Sequence, residues 1–288
     1  MSNPIDIRKR LKDIIKDSAV SVTEYTSIEL RRNTPYTVGD IVRPTPYLCY
    51  TYKCTKTGIT GATTPFMSKS GGISPDGTVM WQEDSDEYDL AIKAALSIFS
   101  LHEPTRLRSA IDGNNSSVYN LPDEWENEFS QILQIEYPLE QIPSIFLHPD
   151  EFELYQSTSE SWKILIYGNI PSSESFGLYF TALRSPISIP NSHIEAFTWL
   201  CASLWLSKLA NSYITSTDSS INIDTVDYKD KASQFRSQAK YFLKMYREFM
   251  GINEEGVSSS SYISNISTIN YPLGYERLTH PRLDRYTR

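Results

Sequence analysis

Four histidines, three cysteines and one acidic run are the residues of this chain with the clearest chemical reach. His102, His148, His193 and His280 lie far apart, and none has a second ligand candidate at helical spacing, so no zinc or other metal site is expected. Cys49 and Cys54 point to opposite faces of any strand that carries both, and Cys201 lies in an apolar stretch. Reduced thiols fit that pattern better than a disulfide framework. The run Glu83–Glu87 has the charge to hold a cation, but it stands where a helix begins, and the helix dipole accounts for carboxylates there. No phosphate loop ending in Lys-Ser/Thr, no G-x-S-x-G elbow and no H-E-x-x-H is present. A paired-carboxylate hydrolase would need two acids close in space, and nothing singles out such a pair. No catalytic residue and no cofactor is therefore expected.

Composition narrows the classes further. A net charge of -8 on 288 residues argues against a general nucleic-acid binder, which needs a basic face for phosphates. The first fifteen residues are charged and amphipathic with no apolar core, so synthesis and first use in a cytoplasm are expected. Tyrosine occurs 19 times, a composition suited to surfaces half buried against another protein.

The elements that would position any site are dominated by two long helices. Ser192 and Glu195 read as a capping box, which starts the first near Asn191. From Ile194 to Tyr213 apolar residues fall on almost every face, including Phe197, Trp199, Leu204 and Trp205, so this helix must be covered on most sides. Its apolar window is shorter than the roughly 20 residues a bilayer span needs, which favours a core helix completed by a neighbouring subunit over a membrane segment. The second helix carries Tyr228, Ala232, Phe235, Ala239, Phe242, Tyr246 and Phe249 at steps of four and three, a seam for packing along a partner. Gly251 supplies its left-handed end.

Taken in order, Asn3 and Pro4 open an amphipathic helix over 4–17, with Ile7, Leu11, Ile14 and Ile15 facing inward and Arg8, Lys9, Lys12 and Lys16 facing water. Residues 18–84 read as a small all-β module, strands being most legible at 40–43, 47–55 and 78–82 between turn signals such as Gly71-Gly72 and Asp76-Gly77. Asp84 and Glu87 then cap a helix over 86–102 with Leu90, Ala91, Ala94, Ile98 and Leu101 on one face. Strands at 118–121, 132–136, 162–167 and 178–183, punctuated by prolines, favour a small antiparallel meander over 118–183. Residues 252–288 read as an extended arm with four arginines near its end. The expected class is α+β: a helical bundle core with helices near 4–17, 86–102, 191–214 and 226–250, assembled from 1–17 plus 85–251, with the meander, the inserted module and the arm.

Two patterns then resemble known families. Val118-Tyr-Asn-Leu-Pro-Asp-Glu-Trp125, Ile132-Leu-Gln-Ile-Glu-Tyr-Pro138, Phe152-Glu-Leu-Tyr155, Ile187-Ser-Ile-Pro190, Asp224-Thr-Val-Asp227 and the helix pair closing at Tyr246–Gly251 resemble the head-tail connector, or adaptor, proteins of tailed bacteriophages. The resemblance covers 3–17 and 86–251. It implies a structural virion protein of the neck, forming a homo-oligomeric ring of usually twelve copies under the portal protein. Such a ring continues the channel through which DNA slides without being gripped, and it presents a surface to the tail or further neck proteins. It also implies that the C-terminal segment reaches the portal, which makes Tyr271, Tyr275, Arg277, Arg282, Arg285, Tyr286 and Arg288 the candidate contacts. Phe197, Trp199, Leu204, Trp205, Phe235, Phe242 and Tyr246 are the candidates for core and subunit packing. The second pattern, Tyr36-Thr-Val-Gly-Asp-Ile-Val42 with Tyr50, Thr57-Gly58, Thr64-Pro65 and Asp76-Gly-Thr-Val-Met-Trp81, resembles the small β modules related to chitin-binding domains. It makes Tyr36, Tyr50, Tyr52 and Trp81 candidates for glycan or protein contact, and leaves a carbohydrate-binding adhesin or decoration protein as the alternative.

Overall fold

The computed structural model describes residues 4–15, 27–68, 71–156, 162–215 and 224–252. It is a mixed α+β chain with four α-helices and several small, mostly antiparallel sheets. Two units divide at Tyr246/Arg247. In the second, α4 ends at Met250 with Gly251 at φ 64. The Gly251 N–H donates to Glu248 O and the Ile252 N–H to Arg247 O, which satisfies the last carbonyls as a Schellman end does.

In the first unit, α1 (Pro4–Ile15) buries Ile7, Leu11 and Ile15. Strands β1 (Ile28–Glu29), β3 (Ile41–Arg43), β4 (Tyr52–Lys56), β6 (Ile73–Asp76) and β7 (Val79–Glu83) form a five-stranded sheet in the order β1-β3-β4-β7-β6. All its pairs are antiparallel except β1 with β3. The short β2 (Pro35–Tyr36) and β5 (Gly58–Ile59) pair beside it. Gly58 and Gly77 are required here: a Cβ on either would lie within 2.4 Å of the opposite turn. The core of this region is Tyr36, Val42, Tyr52, Cys54, Val79 and Trp81.

Helix α2 (Glu87–His102) begins at Asp86, whose side chain accepts the Asp89 N–H. The cap thus sits two residues beyond the expected Asp84, whose own N–H donates to Thr51 O. Its buried face is also rotated from expectation. Tyr88, Ala91, Ile92, Ala95, Leu96 and Phe99 are buried while Leu90, Ala94 and Leu101 are exposed, because α2 lies along α3. Phe99 meets Phe197 edge to face at 5.5 Å and Tyr88 stacks on Trp205 at 5.9 Å.

The next region is not a single meander. Strands β8 (Thr105–Asp112), β10 (Ile132–Glu136) and β13 (Ser175–Ala182) form one antiparallel sheet in the order β10-β13-β8. β9 (Val118–Asn120), β11 (Phe152–Gln156) and β12 (Trp162–Ile166) form another in the order β11-β12-β9. Residues from both, among them Tyr119, Ile135, Ile164, Phe176 and Phe180, share one core. β8 is an edge strand with Arg106 and Arg108 on its exposed side.

Helix α3 (Ile194–Thr215) follows a 3₁₀ turn at Asn191–His193. No side chain caps that turn, so Ser192 and Glu195 form no capping box. The one capping box seen among the described residues joins His148 and Glu151. α3 is apolar round nearly its whole circumference, whereas α4 (Asp224–Met250) turns Ala232, Phe235, Ala239, Phe242 and Tyr246 inward and exposes Lys231, Arg236, Lys240 and Lys244. No described helix is long and apolar enough to cross a membrane.

Candidate functional site

Three polar clusters tie the elements of the first unit together. Arg8 of α1, expected in water, is drawn between two carboxylates of α2. Its Nη2 pairs with Asp86, and its Nη1 donates to Asp89 Oδ1 at 2.8 Å. Tyr47, in the loop between β3 and β4, donates its hydroxyl to the same Asp89 oxygen. Asp89 is fully buried and its Oδ2 has no hydrogen-bond partner. Burial pushes the Asp89 carboxyl up despite the opposing pull of Arg8, and the Arg8 guanidinium is held charged by Asp89 and Asp86 against its own desolvation. A buried charge left with one partner is costly, so the cluster fixes α1, the β region and the start of α2 as one joint. The signal was present in the sequence only as Asp86 and Asp89 three apart on one helix face. Their partners, 78 and 81 residues away, carried none.

The second cluster stands at the far end of α2. Glu103 takes Arg184 Nη2 at 2.9 Å on Oε1 and His193 Nδ1 on Oε2. Arg184 also donates from Nη1 to Ser188 O at 2.7 Å, and its N–H reaches Ser100 Oγ at 3.0 Å. One residue back, His102 Nδ1 meets the Tyr246 hydroxyl at 2.6 Å. Tyr246 is buried, and burial, with Glu103 nearby, raises its pKa.

The third lies inside the 27–83 region. Asp76 accepts from Arg32 Nη1 at 2.9 Å, from the Gly61 N–H at 2.9 Å and from Trp81 Nε1 at 3.2 Å. Tyr36 packs edge to face on Trp81 at 5.2 Å. Tyr36, Tyr52 and Trp81 are therefore core residues, 4%, 2% and 0% exposed, and present no ring to a sugar. This corrects their expectation as contact residues: a region this small needs its largest rings inside. Tyr50 is half-buried, with Lys93 Nζ of α2 at 4.3 Å from its ring centroid. Lys93 also donates to Glu83 Oε1 at 2.6 Å.

Among the residues expected to pack core or subunits, Phe197, Trp205 and Tyr246 are buried within the chain. Trp199, Leu204, Phe235 and Phe242 are half-buried. Trp205 Nε1 is buried without a hydrogen-bond partner, so the ring is held by packing alone. The arm residues Tyr271, Tyr275, Arg277, Arg282, Arg285, Tyr286 and Arg288 lie outside the described residues. No group of three or more histidine, cysteine or acidic side chains able to hold a metal ion occurs among the described residues. All three cysteines are buried and free.

The charges are distributed unevenly. Between Gly113 and Glu174 the sequence has eleven carboxylates and one lysine. Between Lys231 and Tyr246 it has four cations and no carboxylate. This segregation is legible in the sequence but is averaged out in the net charge of the whole. Comparison of the chain with protein-family models, curated proteins and solved structures gives no match.

Proposed function

We propose that the chain is a structural, non-catalytic component of a tailed-phage neck, a ring-forming adaptor that joins the DNA-filled head to the tail and continues the DNA channel. The observation that carries the reading is the division of the first unit. Helices α1, α2 and α3 pack on one another, and α4 lays a one-sided seam toward the same unit. Within it, the strands of 105–182 share a core of their own and carry a strongly acidic surface. Helices give a ring its rigid wall, and a carboxylate-rich surface lets DNA slide without capturing its phosphates. The order of the motifs that resemble adaptor proteins follows the same division. The partners on this reading are the portal protein, neighbouring copies in a ring of about twelve as the resemblance implies, and tail or further neck proteins.

Electron microscopy of intact particles, labelled with antibody to residues 33–84, tests it. Label at the junction of head and tail is expected; label confined to fibres or the tail tip would overturn the reading. A second arm removes residues 252–288: the shortened chain is expected to keep its melting temperature and to lose attachment to the portal, and undiminished attachment would reject the arm as the portal contact. A glycan-binding adhesin finds no support in Tyr36, Tyr52 and Trp81, whose rings are enclosed.

A further inference from the structure

Between α3 and α4 runs a groove of about 290 Å³ whose floor includes Ala239 and Leu243 and whose rim carries Ser207, Arg236 and Lys240. Arg236 touches only Asn211 Oδ1, at 3.5 Å, and Lys240 has no ion-pair or hydrogen-bond partner among the described residues. On the other side of the charge division, the loop 122–130 presents Asp123, Glu124, Glu126 and Glu128, all exposed and none in an ion pair among the described residues. The loop is set in shape by its own bonds. Trp125 N–H donates to Pro122 O, Ser130 N–H to Glu126 O and Glu126 N–H to Ser130 Oγ, while the Trp125 ring lies at 5.7 Å from Phe180. Each surface thus presents charges that no ion pair among the described residues neutralises.

We infer that the α3/α4 groove is the docking site for the acidic 122–130 loop of a second copy of this chain. The inference deepens the adaptor reading and rests on it. Groove and loop are different patches of one protomer, so the contact is heterologous: each copy offers its loop to one neighbour and its groove to the other. Such a contact closes into a ring when the rotation between copies divides a full turn. Charge complementarity of this kind acts on encounter and register and weakens with salt. The apolar floor, with room for a side chain between Ala239 and Leu243, supplies contact that salt does not screen.

The test is a charge exchange on the full-length chain, followed by light scattering and mass photometry across protein and salt concentrations. The exposed positions are changed in two sets, R236E with K240E and E126K with E128K, and melting curves establish that each variant folds. The wild-type chain is expected to self-associate at low salt, with its assemblies dissociating as salt rises. Each set alone is expected to weaken association by about tenfold or more, and the two sets together to restore it. Assemblies indifferent to both sets would overturn the groove while leaving the ring reading intact. A wild-type chain that stays monomeric at every concentration and salt would overturn self-docking through this groove. The ring reading is judged separately, by the position of label on particles.

Discussion

The two β regions are held together by the same means in different proportion. The sheet of 27–83 has six buried hydrophobic residues, and at their centre Trp81 spends its indole N–H on Asp76, which also receives Arg32 and the Gly61 N–H. The paired sheets of 105–182 have nine buried apolar residues and a wider layer around them, and a polar stitch of their own: buried Glu136 accepts from Arg108 Nη2 at 3.0 Å and from the Tyr179 hydroxyl at 2.9 Å. Both regions add a satisfied buried carboxylate to an apolar core, but the smaller one has less apolar surface behind that stitch and depends on it more. The difference decides what each surface has left to offer. The first spends Tyr36, Tyr52, Trp81 and Asp76 on itself, and the second, having spent Glu136, keeps the exposed carboxylates of 122–130.

The strongest way to break this comparison is to remove a large ring from each core. Trp81→Ala is expected to cost about 3–5 kcal/mol and to unfold 27–83 as a unit. Phe176→Ala is expected to cost a similar amount yet leave the paired sheets assembled at room temperature. Denaturant unfolding followed by hydrogen exchange reads both, and equal loss of protection in the two regions would erase the distinction. Asp76→Asn sharpens it: three donors face a weaker acceptor, and a loss of about 2–3 kcal/mol is expected, confined to 27–83.

Arg8→Met tests whether the joint between α1, the β region and α2 depends on its cation. Two carboxylates would lose their guanidinium, and a loss of about 3 kcal/mol with faster proteolysis near the N-terminus is expected. Acid should act on the same attachment through Glu83. Burial alone would raise its pKa, but the hydrogen bonds from Lys93 and Ser85 outweigh that and lower it from 4.5. Its stabilising contribution is therefore present above the unfolded value and is lost as pH falls through the folded one. Melting curves between about pH 5 and 3 should show the loss in wild type, and Lys93→Met should flatten it. The smallest effect belongs to Ser192→Ala. With no cap formed there, a change within about 0.5 kcal/mol is expected, whereas Asp86→Ala removes a real cap and an Arg8 partner together.

Long apolar periodicity was legible in the sequence because it is local: the presence of α2, α3 and α4 and the seam of α4 from Ala232 to Tyr246 follow from spacing, while Phe249, expected on that seam, is exposed. β8 was missed because polar Ser109 falls on its inward side and apolar Ala110 on its outward side, which blurs the alternation of Leu107 and Ile111 with Arg106 and Arg108 that pairing with β13 makes visible. The N-terminal cap of α2 was misplaced because Asp84 and Asp86 have the same local chemistry, and the choice between them is made by Thr51 and Arg8, distant in the chain. The same limit hid the Arg8, Asp86, Asp89 and Tyr47 cluster. The exposed aromatics expected of 27–83 failed for a different reason, since composition does not tell which side of a strand meets the core.

The arginines of β8 bear on how copies tolerate crowding. An eight-residue edge strand offers unpaired backbone groups to any similar edge, and such edges invite fibres. Arg108 is tied to Glu136 within its own sheet, but two β8 edges brought together would still crowd their Arg106 side chains along the shared ladder, and like charges near one another oppose pairing. The strand that escaped the sequence reading thus carries a charge that opposes zippering to its own kind.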